Sequence, residues 1–413
     1  MSFHKLHEFS ILAGRRKADL LTFFCLYIAQ ALPMTFFATA LQVTMRQASF
    51  SLSAIALTQL IKLPWIVKFI WAPLVDRSCH SLKGFRRCIV VSETVYAALI
   101  LVIGALDLLS DFTVIITLII LSFVASATQD IATDALAVLS FRREEKSMVN
   151  SIQSLGSFTA TLIGSGILLA LLQHYGWHTV LPFLALFVIV AVTPLLRNRH
   201  LTIEERPHTR RVRLTDSFSF LVQRQNRRQI GFLLLYYAGI ISVLSMVRPW
   251  MVDLGYSMKD IGLLSGVVGS LAACVATLLS GHLIYALGRH RTRRLFALCS
   301  LLTCLFFAIL SVLTPQLWHI VAGIVMLWGC YGLSTVVVYT TSMDMVRPGL
   351  EGTDFTTQTV VTHLSGIVFS VVAGHVAQLW GYTVFFGFAS AVALLSLVYV
   401  SMAFKEDSVS VSG

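Results

Sequence analysis

Two aspartates, Asp130 and Asp134, stand four residues apart in one apolar run, and two lysines, Lys62 and Lys68, stand six apart in another. On a helix the four-residue spacing stacks both carboxylates on one face, with Thr133 sharing it and Gln129 beside it. Like charges that close, in a low-dielectric setting, favour capture of a proton by one of them, which is the chemistry of a proton-coupled carrier. The lysines diverge: six residues at the helical pitch leave them about 120° apart around the axis and ~9 Å apart along it, so one partner cannot serve both. Lys62, nearer the middle of its run, is the candidate for meeting an anionic solute. Lys68 is placed to pair with an acid on a neighbouring helix. Asp130 lies deeper than Asp134, which is one turn nearer Arg142 and Arg143, so Asp130 is the expected proton-coupling residue with Asp134 and Lys68 beside it. Static ion pairing accounts for the same residues, and the sequence leaves both readings open.

Other polar side chains in apolar runs could recognise a solute. Arg248, next to Pro249 and Trp250, offers a planar fork suited to carboxylate or phosphate, or else an interfacial anchor. Gln30, Gln153, Tyr236 and His363 are further candidates for substrate binding, and Gln42, Gln59, Tyr237, Tyr339 and Gln358 could add neutral hydrogen bonds. The same groups could simply join helices. His282, His363 and His375 lack the paired spacing that a metal or haem needs, so no cofactor is expected. An enzyme has no motif here: there is no HExxH, no GxSxG and no glycine-rich phosphate loop.

The elements that must hold these residues are membrane helices. Of 413 residues 56% are hydrophobic and 12% charged, about half the charged share of a soluble domain, so much of the surface must face lipid. Apolar runs long enough to cross a bilayer fall near 18–45, 52–75, 88–106, 112–141, 147–172, 179–196, 230–252, 259–287, 295–313, 317–346, 355–379 and 382–404. That predicts an all-α membrane protein with twelve transmembrane helices. The net charge of +11 does not indicate nucleic acid, because the basic residues sit in short loops between runs rather than on a folded soluble surface. With both termini cytoplasmic, the inside segments hold 26 of the 31 basic residues, including Lys5, Arg15, Arg16, Lys17 and Lys405, and the outside loops only Arg46 and Lys259. The first run is too long for a signal-peptide core and reads as a retained helix. The seven cysteines fall mostly in apolar runs without metal or disulfide spacing.

The polar stretch 197–229 divides the chain into an N-terminal half, 1–196, and a C-terminal half, 230–413, and reads as a cytoplasmic linker. An offset of about 210 residues sets Ala72-Pro-Leu-Val-Asp76-Arg77, followed by Gly84-Phe-Arg86-Arg87, against Gly281-His-Leu-Ile-Tyr285, followed by Gly288-Arg-His-Arg291, and places Asp344 opposite Asp134. Small residues recur every fourth position at Gly156, Ala160 and Gly164, and at Gly262, Gly266 and Ser270, which lets helices approach closely.

At the Asp76-Arg77 and Gly84-Phe-Arg86-Arg87 residues the sequence resembles the major facilitator superfamily, whose loop between the second and third helices carries a G-x-x-x-D-R-x-G-R-R type signature. Ala72 stands in place of the first glycine, and residues are inserted before Gly84. The resemblance implies two pseudo-symmetric six-helix halves and a conformational latch at Asp76, Arg77, Arg86 and Arg87. It also implies that the small-residue rows around Gly156 and Gly262 meet where the halves rock. Leu63-Pro64-Trp65, Lys68, Trp71-Ala72-Pro73, Asp76-Arg77, Gln129-Asp130, Asp134-Ala135 and Pro348 to Thr356 resemble more narrowly the branch of muropeptide permeases, acetyl-CoA transporters and siderophore permeases. The length favours the compact siderophore-permease type. The implied function is proton-coupled import, as a monomer in the bacterial inner membrane, of a bulky polar or anionic small molecule by alternating access.

Overall fold

The computed structural model describes residues 17–47, 58–108, 110–204 and 212–404. Lys5, Arg15, Arg16, Lys405 and the 205–211 part of the linker lie outside the described residues. Every element among the described residues is helical, as the composition requires. Ten helices are long and apolar enough to cross a membrane, against twelve expected. They are α1 (Lys17–Arg46), α3 (Leu82–Ala105), α4 (Phe112–Ser140), α5 (Arg143–Tyr175), α6 (Trp177–Arg197), α7 (Arg224–Asp253), α8 (Lys259–Leu287), α9 (Arg289–Leu310), α10 (Leu317–Asp344) and α11 (Glu351–Ala403), with the interrupted stretch 58–78 taken as α2.

The difference in count has two sources. In α2, Pro64 and Pro73 each stand in the first turn of a short helix, Leu63–Val67 and Ala72–Ser78, because a proline ring cannot donate the backbone hydrogen bond that would continue the preceding turn. Tighter 3-10 turns, Thr58–Lys62 and Lys68–Ile70, precede them. The 53-residue α11, in turn, covers two of the expected runs and is interrupted at Gly381, whose φ of 77° and ψ of 171° suit a residue without Cβ. The same turn, with the same φ and ψ, occurs at Gly176 between α5 and α6. The architecture is consistent with twelve crossings.

The chain packs as two compact units: one runs up to Phe220 and adds Met343–Val360, and the other holds Leu221–Ser342 and the chain from Val361 onward. The start of α11 thus packs with the helices of the N-terminal half. The core of the first unit joins Phe36 and Phe37 of α1, Tyr96 and Ile100 of α3, Phe123 of α4 and Trp177, Leu184 and Val188 of α6. In the second unit Val243, Val247 and Trp250 of α7 pack with Phe307 of α9 and Phe385 and Phe386 of α11. A second cluster there centres on Phe232, Tyr236, Phe296 and Val337.

The Gly156, Ala160 and Gly164 row of α5 is spent on α1. Thr35 Oγ1 donates to the Ala160 carbonyl at 3.0 Å, and a Cβ built on Gly164 would lie 2.2 Å from Thr35 Oγ1 and 2.9 Å from the Leu32 carbonyl oxygen. Beside this contact Ile163–Ile167 widens into a π turn. Because one of the obstructing atoms is backbone, Gly164→Ala is expected to cost about 1–3 kcal/mol. Thermal unfolding of the detergent-purified variant reads this as a lowered midpoint, and an unchanged midpoint would mean that the two helices can part without strain.

Candidate functional site

The interruption of α2 sets the centre of the first unit. It leaves Lys68 in a 3-10 turn and 2% exposed, with its ammonium on Asp130 Oδ2 of α4 and 4.7 Å from the centroid of the Trp65 ring. Asp130, 3% exposed, also accepts from Gln30 Nε2 of α1 at 2.6 Å. One turn on, Asp134 accepts at Oδ1 from the Tyr27 hydroxyl at 2.9 Å and from Gln153 Nε2 of α5 at 3.1 Å. Three helical segments, α1, α2 and α5, therefore converge on the aspartate face of α4 that the four-residue spacing predicts. Gln129 turns along its own helix, its Nε2 donating to Thr133 Oγ1 at 2.9 Å. Asp130 carries an ion pair and Asp134 only neutral donors, so the two acids sit in different electrostatic settings.

Of the residues expected to act in recognition or coupling, the fold brings together Lys68, Asp130, Asp134, Gln30 and Gln153. Lys62 is left out. It is half-buried at the end of the first 3-10 turn and makes no hydrogen bond or ion pair with another described residue.

Asp76 ends α2 as a fully buried carboxylate. It accepts from the backbone N–H of Gly352 at 3.1 Å, the N–H of Thr353 at 2.7 Å and the Thr353 hydroxyl at 2.7 Å. These are free donors of the first turn of α11, and an anion there also meets the positive end of the helix dipole. The approach requires glycine: a Cβ on Gly352 would stand 3.1 Å from Asp76 Oδ1 and from Ile131 Cγ2, and 3.3 Å from Ala135 Cβ. Arg347 braces the same helix end. Its side chain donates to Asp354 at 2.7 and 2.6 Å, to Ser219 Oγ at 2.8 Å and to the Asp216 carbonyl at 2.9 Å. The short helix Asp216–Val222 is tied in turn to α2 by Ser217 Oγ on the Phe69 carbonyl at 2.7 Å. Lys146 of α5 reaches the Met343 carbonyl at 2.8 Å and Asp344 at 3.9 Å. Of the four latch residues implied by the resemblance, Asp76 alone holds the helix start. Arg86 donates to the Asn198 carbonyl after α6, while Arg77 and Arg87 are exposed.

In the second unit a cavity of about 490 Å³ is lined by Tyr237, Ser245, Tyr331, Tyr339, Thr362 and His363, among apolar neighbours. His363 lies on the wall of this cavity. Tyr236 does not: it is buried, and its hydroxyl donates to the Arg293 carbonyl at 3.0 Å, which ties α7 to α9 and leaves the neighbouring Tyr237 on the cavity wall. Arg248 is exposed and donates through Nε to Ser265 Oγ at 3.1 Å, inside the π turn Gly262–Val268 of α8. His282 and His375 lie on exposed helix faces, and no group of three or more metal-ligating side chains occurs among the described residues.

Sequence reasoning passed over one residue. Glu93 of α3 is 1% exposed, and neither carboxylate oxygen has a hydrogen-bond partner among the described residues. A lone acid in the 88–106 run was signal enough, since intramembrane charge is rare.

A family model described as Major Facilitator Superfamily matches residues 20–370. The anhydromuropeptide permease of Escherichia coli is 23% identical over 375 residues, covering 90% of this chain and 76% of the relative. Putative transporter AmpG 3 of Rickettsia prowazekii is 24% identical over 357 residues, covering 82% and 85%. Among solved structures, the human organic anion transporter MFSD10 superposes with a TM-score of 0.71 at 14% identity, covering 94% of this chain and 99% of that one.

Proposed function

Since the chain belongs to the Major Facilitator Superfamily and is a multi-pass membrane transporter rather than an enzyme, we propose that it imports a muropeptide-type solute across the bacterial cytoplasmic membrane, coupled to protons, by alternating access. The observation that carries the substrate class is the likeness to the anhydromuropeptide permease of E. coli along 90% of the chain. Such a solute joins sugar rings to a peptide with free carboxylates. The tyrosine and hydroxyl lining of the second-unit cavity suits sugar faces. The excess of basic residues in alternate loops supports a topology with both termini and the linker in the cytoplasm.

In this reading the cycle has a coupling element and a latch. The Lys68–Asp130 pair is the coupling element: a proton taken by Asp130 would discharge it and free the lysine. The contact of Asp76 with the start of α11 is the latch, closed in this conformation and broken when α11 departs.

Lys62 is the residue with which to test recognition. An ammonium in an apolar run without a counterion is costly unless hydrated or paired with a solute, so Lys62→Ala is expected to raise the KM for a radiolabelled anhydromuropeptide about tenfold, the worth of one charge-assisted contact of ~1.4 kcal/mol, while the protein still inserts. Unchanged uptake kinetics in proteoliposomes would return Lys62 to a structural role.

A further inference from the structure

Glu93 is a buried acid that belongs to neither the coupling pair nor the latch. It lies on the inward stripe of α3, with Ile89, Ser92, Tyr96 and Ala97 also buried, so no rotamer reaches solvent without moving the helix. Both of its oxygens lack a partner among the described residues, and so does the Tyr96 hydroxyl one turn away. An ionised carboxylate is not sustained in such a place; the neutral acid is. Asp130 is in the opposite situation, held by an ammonium and an amide. The two buried acids thus sit in unlike surroundings, one unpartnered among the described residues and one ion-paired.

Buried polar side chains lie between them. Glu93 and Tyr96 share the inward stripe of α3, and Ser126 is buried on α4. Ser126 Oγ donates to the Gln30 carbonyl of α1 at 3.4 Å, and Gln30 Nε2 donates to Asp130 at 2.6 Å. The oxygens of Gln30 and Gln129, Oε1 in each case, are likewise buried without a partner among the described residues. Besides Lys83, Arg86 and Arg87 in its first turns, α3 carries Cys88 and Tyr96; Asp130 and Asp134 lie on α4, the former paired with Lys68 of α2. Tyr27 of α1 is on Asp134, and His178 of α6 is on the Gly104 carbonyl at the far end of α3.

We propose that Glu93 is a second proton-binding site of this transporter, carrying its proton in the conformation described here while Asp130 is ion-paired. Loading forms an O–H bond on Glu93 from a hydronium ion, which leaves as water. Unloading returns the proton to water once α3 and α4 shift to admit it. The inference rests on the proton-coupled reading but not on the identity of the solute.

The test is infrared spectroscopy of the protein in lipid, with no solute added. The carbonyl stretch of a protonated carboxylic acid is expected at neutral pH, shifted on exchange into deuterated water and lost as the pH is raised. The Glu93 component of it is expected to vanish in Glu93→Gln and to remain in Asp130→Asn and in Asp134→Asn, so that the parent and Glu93→Gln spectra differ by one carboxylic band. A carboxylic spectrum unchanged in Glu93→Gln, or a Glu93 band that responds neither to pH nor to deuteration, would overturn the proposal. Uptake of a radiolabelled anhydromuropeptide is a separate arm. Its absence in the parent protein would sink the solute reading and leave the infrared result standing, while accumulation in Glu93→Gln with the parental pH dependence would overturn the second proton site.

Discussion

Replacing Asp76 with alanine should release the start of α11 and shift the transporter toward the conformation in which that helix end has left α2. The carboxylate accepts three hydrogen bonds, two from backbone N–H groups that no other helical residue satisfies. Bonds to a charged acceptor are worth about 1.5–3 kcal/mol each. Half of their sum, ~3 kcal/mol, already moves a two-state equilibrium by about a hundredfold. The reporter is a cysteine in place of the fully buried Thr356, one turn beyond Gly352, in a background without the seven native thiols. Maleimide labelling in membrane vesicles should rise steeply in Asp76→Ala, and uptake should fall because the cycle stalls in one state. Labelling as slow as in the Asp76 parent would show that Arg347 and the Asp216–Val222 helix hold the contact without it.

The second large effect concerns the Lys68–Asp130 pair. Removing one partner leaves a buried charge uncompensated, which costs about 3–5 kcal/mol. Asp130→Asn and Lys68→Met alone should each lower thermal stability and abolish pH-driven accumulation. Combining them removes both charges, so the midpoint of unfolding should recover toward that of the parent while accumulation stays lost. That split separates coupling from packing: a double variant that recovers both stability and pH-dependent accumulation would make the pair a structural strut.

These residues are legible in the sequence to different degrees, for physical reasons. Asp130 and Asp134 declare a shared helix face through local spacing alone, and Lys68 declares its need of an acid because charge at bilayer depth is costly. The identity of the other partners is not local information: Tyr27, Gln30 and Gln153 reach the aspartates across helices about 20 to 100 residues away in sequence. Pro64 and Pro73 announce an interrupted second helix, yet hydropathy reads the run as continuous because it is blind to a missing N–H. The docking of Met343–Val360 with the first unit has only Gly352 as a hint, a glycine whose reason is the approach of Asp76. Tyr236 and Tyr237 are adjacent aromatics that no pattern distinguishes; their rotation about α7 sends one hydroxyl to a carbonyl and the other to a cavity.

Proton-coupled transport of a muropeptide-type solute stands or falls on uptake of a radiolabelled anhydromuropeptide into proteoliposomes with an imposed inward proton gradient. Transient accumulation above the external concentration is expected, abolished by a protonophore and by Asp130→Asn. Uptake no greater than in protein-free liposomes, or accumulation indifferent to the protonophore, would refute it.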